Sequence, residues 1–131
     1  GMSQCGGGLQ LLPRDMAKIG LLVLNDGKWQ NKQIVSKEWI HESTSPHMTE
    51  SKFFGYGYQW WHRSKNNQPW WKKSNTEVTD ENDMIVAMGY GGQYIMVIRD
   101  LNMVVVTTAS NYDDENKALG QVPMVIADDK L

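Results

Sequence analysis

The chain predicts an α+β fold: an antiparallel sheet of about three strands, an N-terminal helical pair and a C-terminal helix. Three observations predict it. Apolar residues recur at helical spacing in the first quarter of the chain. Aromatics alternate with glycine over Phe53–His62. Two β-rich apolar runs in Ile85–Asn111 flank a polar break, Arg99-Asp100-Leu101-Asn102. Runs of Val, Ile, Thr and Tyr bounded by turn residues read as buried strands. Strands that follow one another through short turns pair antiparallel.

Each element has its own signal. Leu11–Leu24 carries Leu12, Met16, Ile19, Leu22 and Val23 on one predicted helix face. Pro13 suits the first helical turn, and Asp15 the positive helix end. Asn25-Asp26-Gly27 reads as a stop, with a glycine available for a left-handed cap. Lys28–Lys32 reads as a polar turn holding Trp29. Ser36 then caps a second helix with Trp39 and Ile40 on its apolar side, ended by Ser45-Pro46.

Phe53–His62 reads as one strand, with Phe54, Tyr56, Tyr58 and Trp60 on a shared face. Arg63–Asp83 is polar with Trp70-Trp71 at its middle, and reads as a long loop or an exposed hairpin. Its length makes it either functional or mobile. Gly89-Tyr90-Gly91-Gly92 forms a bend that leads into the apolar hairpin. Tyr112–Asn116 reads as a turn, and Pro123–Lys130 as a terminal helix opened by proline.

Composition bounds the function. With 131 residues the chain is at most one domain, read as residues 2–131: a helical segment over 2–50 and a sheet with its closing helix over 53–131, the latter holding the polar insertion 63–83. Gly1 before Met2 reads as a scar of tag removal. A net charge of −2, with scattered basic residues, argues against nucleic acid as a partner. No apolar stretch approaches the roughly 20 residues of a membrane-spanning helix. The Gly- and Gln-rich start does not read as a signal peptide. A single cysteine, Cys5, excludes an internal disulfide, and nothing near it in sequence would lower its pKa.

Other features have ordinary readings. His41, His47 and His62 match no compact metal-site spacing, so no metal and no cofactor is expected. Asp80-Glu81-Asn82-Asp83 lacks the glycine and the spaced oxygens of a calcium loop. Aromatics at alternate strand positions usually pack within a sheet. Trp70 and Trp71, in polar surroundings, are the better candidates for stacking on a sugar or other ligand.

Several phrases resemble, in order, the serine β-lactamase and penicillin-binding-protein superfamily, closest to its class C-like branch of esterases and DD-peptidases. Gly7-Gly8-Leu9-Gln10-Leu11-Leu12-Pro13-Arg14-Asp15-Met16-Ala17-Lys18-Ile19-Gly20 is similar to a phrase that opens a helix of that family's helical subdomain. Ile34–Trp39 resembles its next helix. Tyr56-Gly57-Tyr58-Gln59-Trp60-Trp61 resembles the strand before the active-site strand. Gly89–Ile98 resembles the active-site strand and its neighbour, and Ala109-Ser110-Asn111-Tyr112 the exit from the last strand. The resemblance covers nearly the whole chain and rests on the order of the phrases.

That family acts through a Ser-x-x-Lys nucleophile and base, a Tyr-x-Asn or Ser-x-Asn element, and a Lys-Thr-Gly or His-x-Gly triplet on an edge strand. No serine here has lysine three residues later. Ser64-Lys65-Asn66 matches the second element but lies after the two helices, whereas the family places it well before them. The resemblance puts Ala87-Met88-Gly89 in the place of the triplet, with Ala87 where a cation or imidazole belongs and the Tyr90 amide as oxyanion donor. A second register places Gly89-Tyr90-Gly91 there.

The resemblance thus implies the C-terminal third of a hydrolase, inactive by itself. A missing N-terminal hydrolase segment would carry the nucleophile. The cut sheet would leave an edge and an apolar face through which the chain forms a homo-oligomer. The family is commonly exported in bacteria.

Overall fold

The fold is described from a computed structural model, which covers residues 8–49, 54–63, 83–110 and 124–127. The described elements are helix α1 (Pro13–Leu24), strands β1 (Lys28–Trp29) and β2 (Lys32–Gln33), helix α2 (Lys37–Thr44), and strands β3 (Met48–Thr49), β4 (Phe54–Tyr56), β5 (Trp61–Arg63), β6 (Met84–Gly89), β7 (Gln93–Ile98), β8 (Met103–Thr107) and β9 (Met124–Ala127). The α+β class holds.

The sheet is wider than the three strands expected. Among the described residues, β3 to β9 form one seven-stranded antiparallel meander in chain order, and β1 and β2 a separate hairpin. Two misreadings of the sequence account for two of the four additional strands, and β3 and β9 are the others. Phe53–His62 is not a single strand: β4 and β5 pair Phe54 with Arg63 and Tyr56 with Trp61. Between them Gln59 takes φ +68°, and Gly57 N–H donates to the Trp60 carbonyl at 2.8 Å. The glycine cluster, likewise, does not lead into one hairpin. It is the turn of a hairpin of its own, with Gly89 paired to Gln93 and both Gly91 and Gly92 at φ +94°. The polar break from Arg99 to Asn102 is a turn as expected, one 3-10 turn ended by Asn102 in the left-handed region.

The terminal helix expected over Pro123–Lys130 is overturned. Met124–Ala127 is β9, paired antiparallel with Val104–Thr107. The β-branched pair Val125-Ile126 suits a strand, and the ladder groups of β8 supply hydrogen-bond partners that outweigh weak local helix signals. Lys28–Lys32, read as a polar turn, is also a hairpin. Gln30 and Asn31 both have positive φ, the signature of a two-residue type I′ turn.

Helix α1 forms where expected, with Pro13 in its first turn and Lys18 paired to Asp15 at 2.7 Å. Its end is a Schellman motif: Gly27 N–H donates to the Leu22 carbonyl at 2.7 Å and Asp26 N–H to the Val23 carbonyl at 3.3 Å. Its buried face differs from the expected one. Ala17, Gly20, Leu21 and Val23 are buried, whereas Leu12 is 70% exposed. The small residues decide this. A methyl at Gly20 would sit 2.4 Å from Cγ1 of Val104 and 3.0 Å from Cγ2 of Ile95, so α1 lies almost backbone-to-side-chain on β7 and β8.

Helix α2 starts at Ser36, whose hydroxyl accepts from Trp39 N–H at 3.2 Å. It buries Ile40, but Trp39 stays exposed. The core on the helical side joins Ala17, Leu21, Val23 and Ile40 to Ile85, Ile95, Val97, Val104 and Val106. The opposite sheet face is also apolar. Met84, Val86 and Ile98 are buried there, with Trp61, Met88, Tyr94, Met96 and Met103 packed around them. Both faces are apolar, which explains why the strand sequences read as continuous hydrophobic runs.

Candidate functional site

The sequence singles out the end of β6, and the structure gives that end a distinct environment. Strand β5 pairs with Met84, Val86 and Ile85 only, whereas β7 pairs with β6 from Ile85 through Gly89. Among the described residues, Ala87-Met88-Gly89 is therefore laddered on one side alone. Alternation sends Ala87 toward the helical core and Met88 toward the opposite apolar face. Gly89 sits close to its ladder partner: a methyl there would lie 3.1 Å from both the carbonyl and Oε1 of Gln93. Tyr90 starts the turn and is 70% exposed.

Strand β8 pins this turn. The Thr107 hydroxyl donates to the Gly92 carbonyl at 3.1 Å and accepts from Tyr94 N–H at 3.1 Å. The Gln93 side-chain amide donates to the Ala109 carbonyl. Burial raises the Tyr94 phenol pKa. The strand end is thus a fixed backbone ledge with an exposed tyrosine and no charged side chain of its own.

A second cluster, which the sequence reading missed, lies at the junction of α1, α2 and the β7–β8 turn. Asp26 Oδ1 accepts from Arg99 at 2.9 Å, and Oδ2 lies 3.0 Å from Lys37 Nζ. His41 Nε2 is 3.5 Å from Oδ1. Arg99 also donates to the Val23 carbonyl at 3.1 Å, closing the C-terminus of α1 from the sheet side. The Lys37 hydrogen bond, aided by Arg99, lowers the Asp26 pKa against the opposing effect of burial. A polar depression of about 460 Å³ lies beside it, lined by Asn25, Asp26, Lys28, Asn31, Gln33 and Lys37 among others. Its groups are largely committed to one another: Gln33 bonds the carbonyl of Asp26, and Lys37 bonds its carboxylate.

A third feature is aromatic. Tyr58 lies between Trp39 and His47, with ring centroids 5.6 and 4.5 Å away and interplanar angles of 13° and 24°. No spacing rule finds this column, because its rings come from α2, the β4–β5 turn and the residue before β3.

Other sequence candidates separate in space or fall outside the described residues. His41 faces Asp26, His47 lies 3.5 Å from Glu42, and His62 sits in β5. Among the described residues, no group of His, Cys, Asp or Glu could hold a metal ion. No described helix is long and apolar enough to cross a membrane. Trp70, Trp71, Cys5, Ser64-Lys65-Asn66, the turn at 112–116 and most of the 63–83 insertion lie outside the described residues. Arg63, the insertion's first residue, ends β5 and is 1% exposed. Comparison with family models found no match, and no curated protein matches the chain.

Proposed function

We propose that the chain carries the C-terminal part of a β-lactamase-related serine hydrolase fold and has no hydrolytic turnover by itself. The single observation that supports this reading most is the end of β6. Ala87-Met88-Gly89 is laddered on one side only and closes on a pinned glycine turn with Tyr90 exposed. That is where the resemblance puts the substrate-binding triplet and an oxyanion amide. The chemistry of such a site needs a nucleophile, and the sequence has no Ser-x-x-Lys. Ala87 also offers no charge to a substrate carboxylate. The parent reaction would be acyl transfer to serine, followed by hydrolysis of an amide or ester.

The expected result is no saturable turnover of a chromogenic cephalosporin or of p-nitrophenyl acetate. Turnover that co-purifies through a second, orthogonal purification overturns the proposal.

A non-enzymatic, self-associating module is the second reading. It is favoured by the apolar segment ahead of α1, where Leu9 and Leu12 stand exposed. Light scattering at rising concentration is expected to show a dimer or larger species. A strictly monomeric mass throughout removes this reading.

A further inference from the structure

We infer that the polar depression between the end of α1, the β1–β2 hairpin and the start of α2 binds a small molecule carrying two or more anionic oxygen groups. The inference is independent of the hydrolase reading. The sequence sets the local charge. From Asn25 to Lys37 the chain holds Lys28, Lys32 and Lys37 against one acid, Asp26, although its net charge is −2. Folding adds Arg99, which reaches Asp26 from the β7–β8 turn. Lys28, Lys37 and Arg99 thus stand against a single carboxylate at the depression or beside it. A concave surface of one dominant sign attracts ligands of the other.

The fold fixes the walls. Alternation along the hairpin puts Trp29 on the core, and Lys28 with its ladder partner Gln33 on the side that lines the depression. The Gln33 amide donates to the Asp26 carbonyl at 2.7 Å and also to the Val35 carbonyl. The Gly27 carbonyl accepts from Ile34 N–H at 2.9 Å and from Val35 N–H at 3.2 Å. Gly27 itself has φ +83°, and a methyl there would lie 2.0 Å from the Val35 carbonyl oxygen. The end of α1 and the exit of the hairpin are therefore in backbone contact that glycine makes possible. Walls tied in this way are in place before a ligand arrives, and little ordering entropy is lost on binding.

The unused hydrogen-bonding groups select the ligand class. The commitments at the depression stop at Asp26, Gln33 and Lys37. Both Asp26 oxygens are engaged, Oδ1 by Arg99 and Oδ2 by Lys37. Lys37 retains N–H donors beyond that pair, and its side chain is 60% exposed. Lys28 has no ion-pair or side-chain hydrogen-bond partner among the described residues, and neither do the side chains of Asn25, Gln30 and Asn31. Ammonium groups only donate, so the site has an excess of donors. Phosphate and carboxylate oxygens supply the acceptors, with charge-assisted hydrogen bonds. Two lysines line the depression, and a ligand with two charges engages both, whereas a monoanion gains no more than one exposed pair. A volume of about 460 Å³ suits a small molecule.

The test titrates the whole, isotopically labelled chain at constant ionic strength and follows its amide signals by NMR. The probes are pyrophosphate, citrate, acetate, maltotriose and a short oligothymidylate. Pyrophosphate, citrate or both are expected to shift the signals of Lys28, Gln30, Asn31 and Lys37 saturably, and the tighter of the two identifies the preferred group. Acetate and maltotriose are expected to leave these signals in place. Lys28→Ala removes an exposed side chain without a partner, so it is expected to fold as wild type by circular dichroism and to weaken binding by about fivefold or more. Lys18→Ala, which removes a lysine paired with Asp15 on α1, is expected to leave the affinity unchanged. Absence of a saturable shift with both anions overturns the inference. So does an equal loss in the two lysine variants, which would mean general attraction of anions, or an affinity that Lys28→Ala does not change. A saturable response to maltotriose, or to the oligothymidylate with none to the small anions, overturns it as well.

Discussion

The seam between α1 and strands β7 and β8 and the aromatic corner between α2 and strands β3 to β5 are built on opposite principles. The seam is aliphatic, buried and close: Ala17 and Gly20 lie against Ile95 and Val104, and Val97, Val104 and Val106 are fully buried. The corner is aromatic, glycine-spaced and half exposed, held by backbone hydrogen bonds such as that from Tyr58 N–H to Ser43. Dense apolar burial is where stability comes from. Half-exposed aromatics remove less surface from water per ring and contribute less to it. The difference teaches that the seam holds the fold together while the corner is what the fold holds out to solvent.

The largest effect is expected at the seam. Gly20→Ala forces a methyl onto Val104 and is expected to destabilise by about 1–2 kcal/mol, the overpacking cost exceeding the gain in helix propensity. Val104→Ala alone is expected to cost about 2 kcal/mol by opening a cavity. The two together are expected to cost clearly less than their sum, because the new methyl fills the space left by the valine. Strict additivity in urea denaturation would break the picture of a close seam.

A smaller effect is expected at Asp26, which joins the two regions through Arg99, Lys37 and His41. Asp26→Asn is expected to lose about 1 kcal/mol at neutral pH, as suits a partly exposed ion pair with several partners. The sign with pH follows from the lowered pKa. The stabilisation is present above the ordinary carboxyl value of 3.8 and is lost as pH falls through the lower folded value. The variant's stability is therefore expected to fall less steeply than wild type below that pH. Parallel acid titrations followed by circular dichroism check this.

The smallest global effect is expected at the corner. Tyr58→Ala removes two ring contacts and is expected to cost under about 1 kcal/mol overall. Its local effect is expected to be larger, with faster amide exchange at Tyr58 and a shifted Trp39 signal. A loss equal to that at Gly20 would erase the distinction between the two regions.

The sequence by itself determined the class, both described helices and the turn at Arg99–Asn102. These rest on signals a few residues long: Pro13 in the first turn, Ser36 as an N-cap, a Schellman end at Asp26-Gly27 and β-branched runs broken by polar residues. Such signals act through backbone geometry and local hydrogen bonds, so they survive without knowledge of neighbours. Tertiary structure alone decided which face of α1 is buried, because small Ala17 and Gly20 carry little hydrophobic signal and matter only where Val104 meets them. It alone made β9 a strand, through the ladder of β8, and split Phe54–Arg63 into two strands around a turn anchored on Ser43. For the same reason neither the Asp26 cluster nor the Trp39–Tyr58–His47 column could be read in advance. Their members lie far apart in sequence, and distance along the chain carries no information about which side chains a folded backbone brings together.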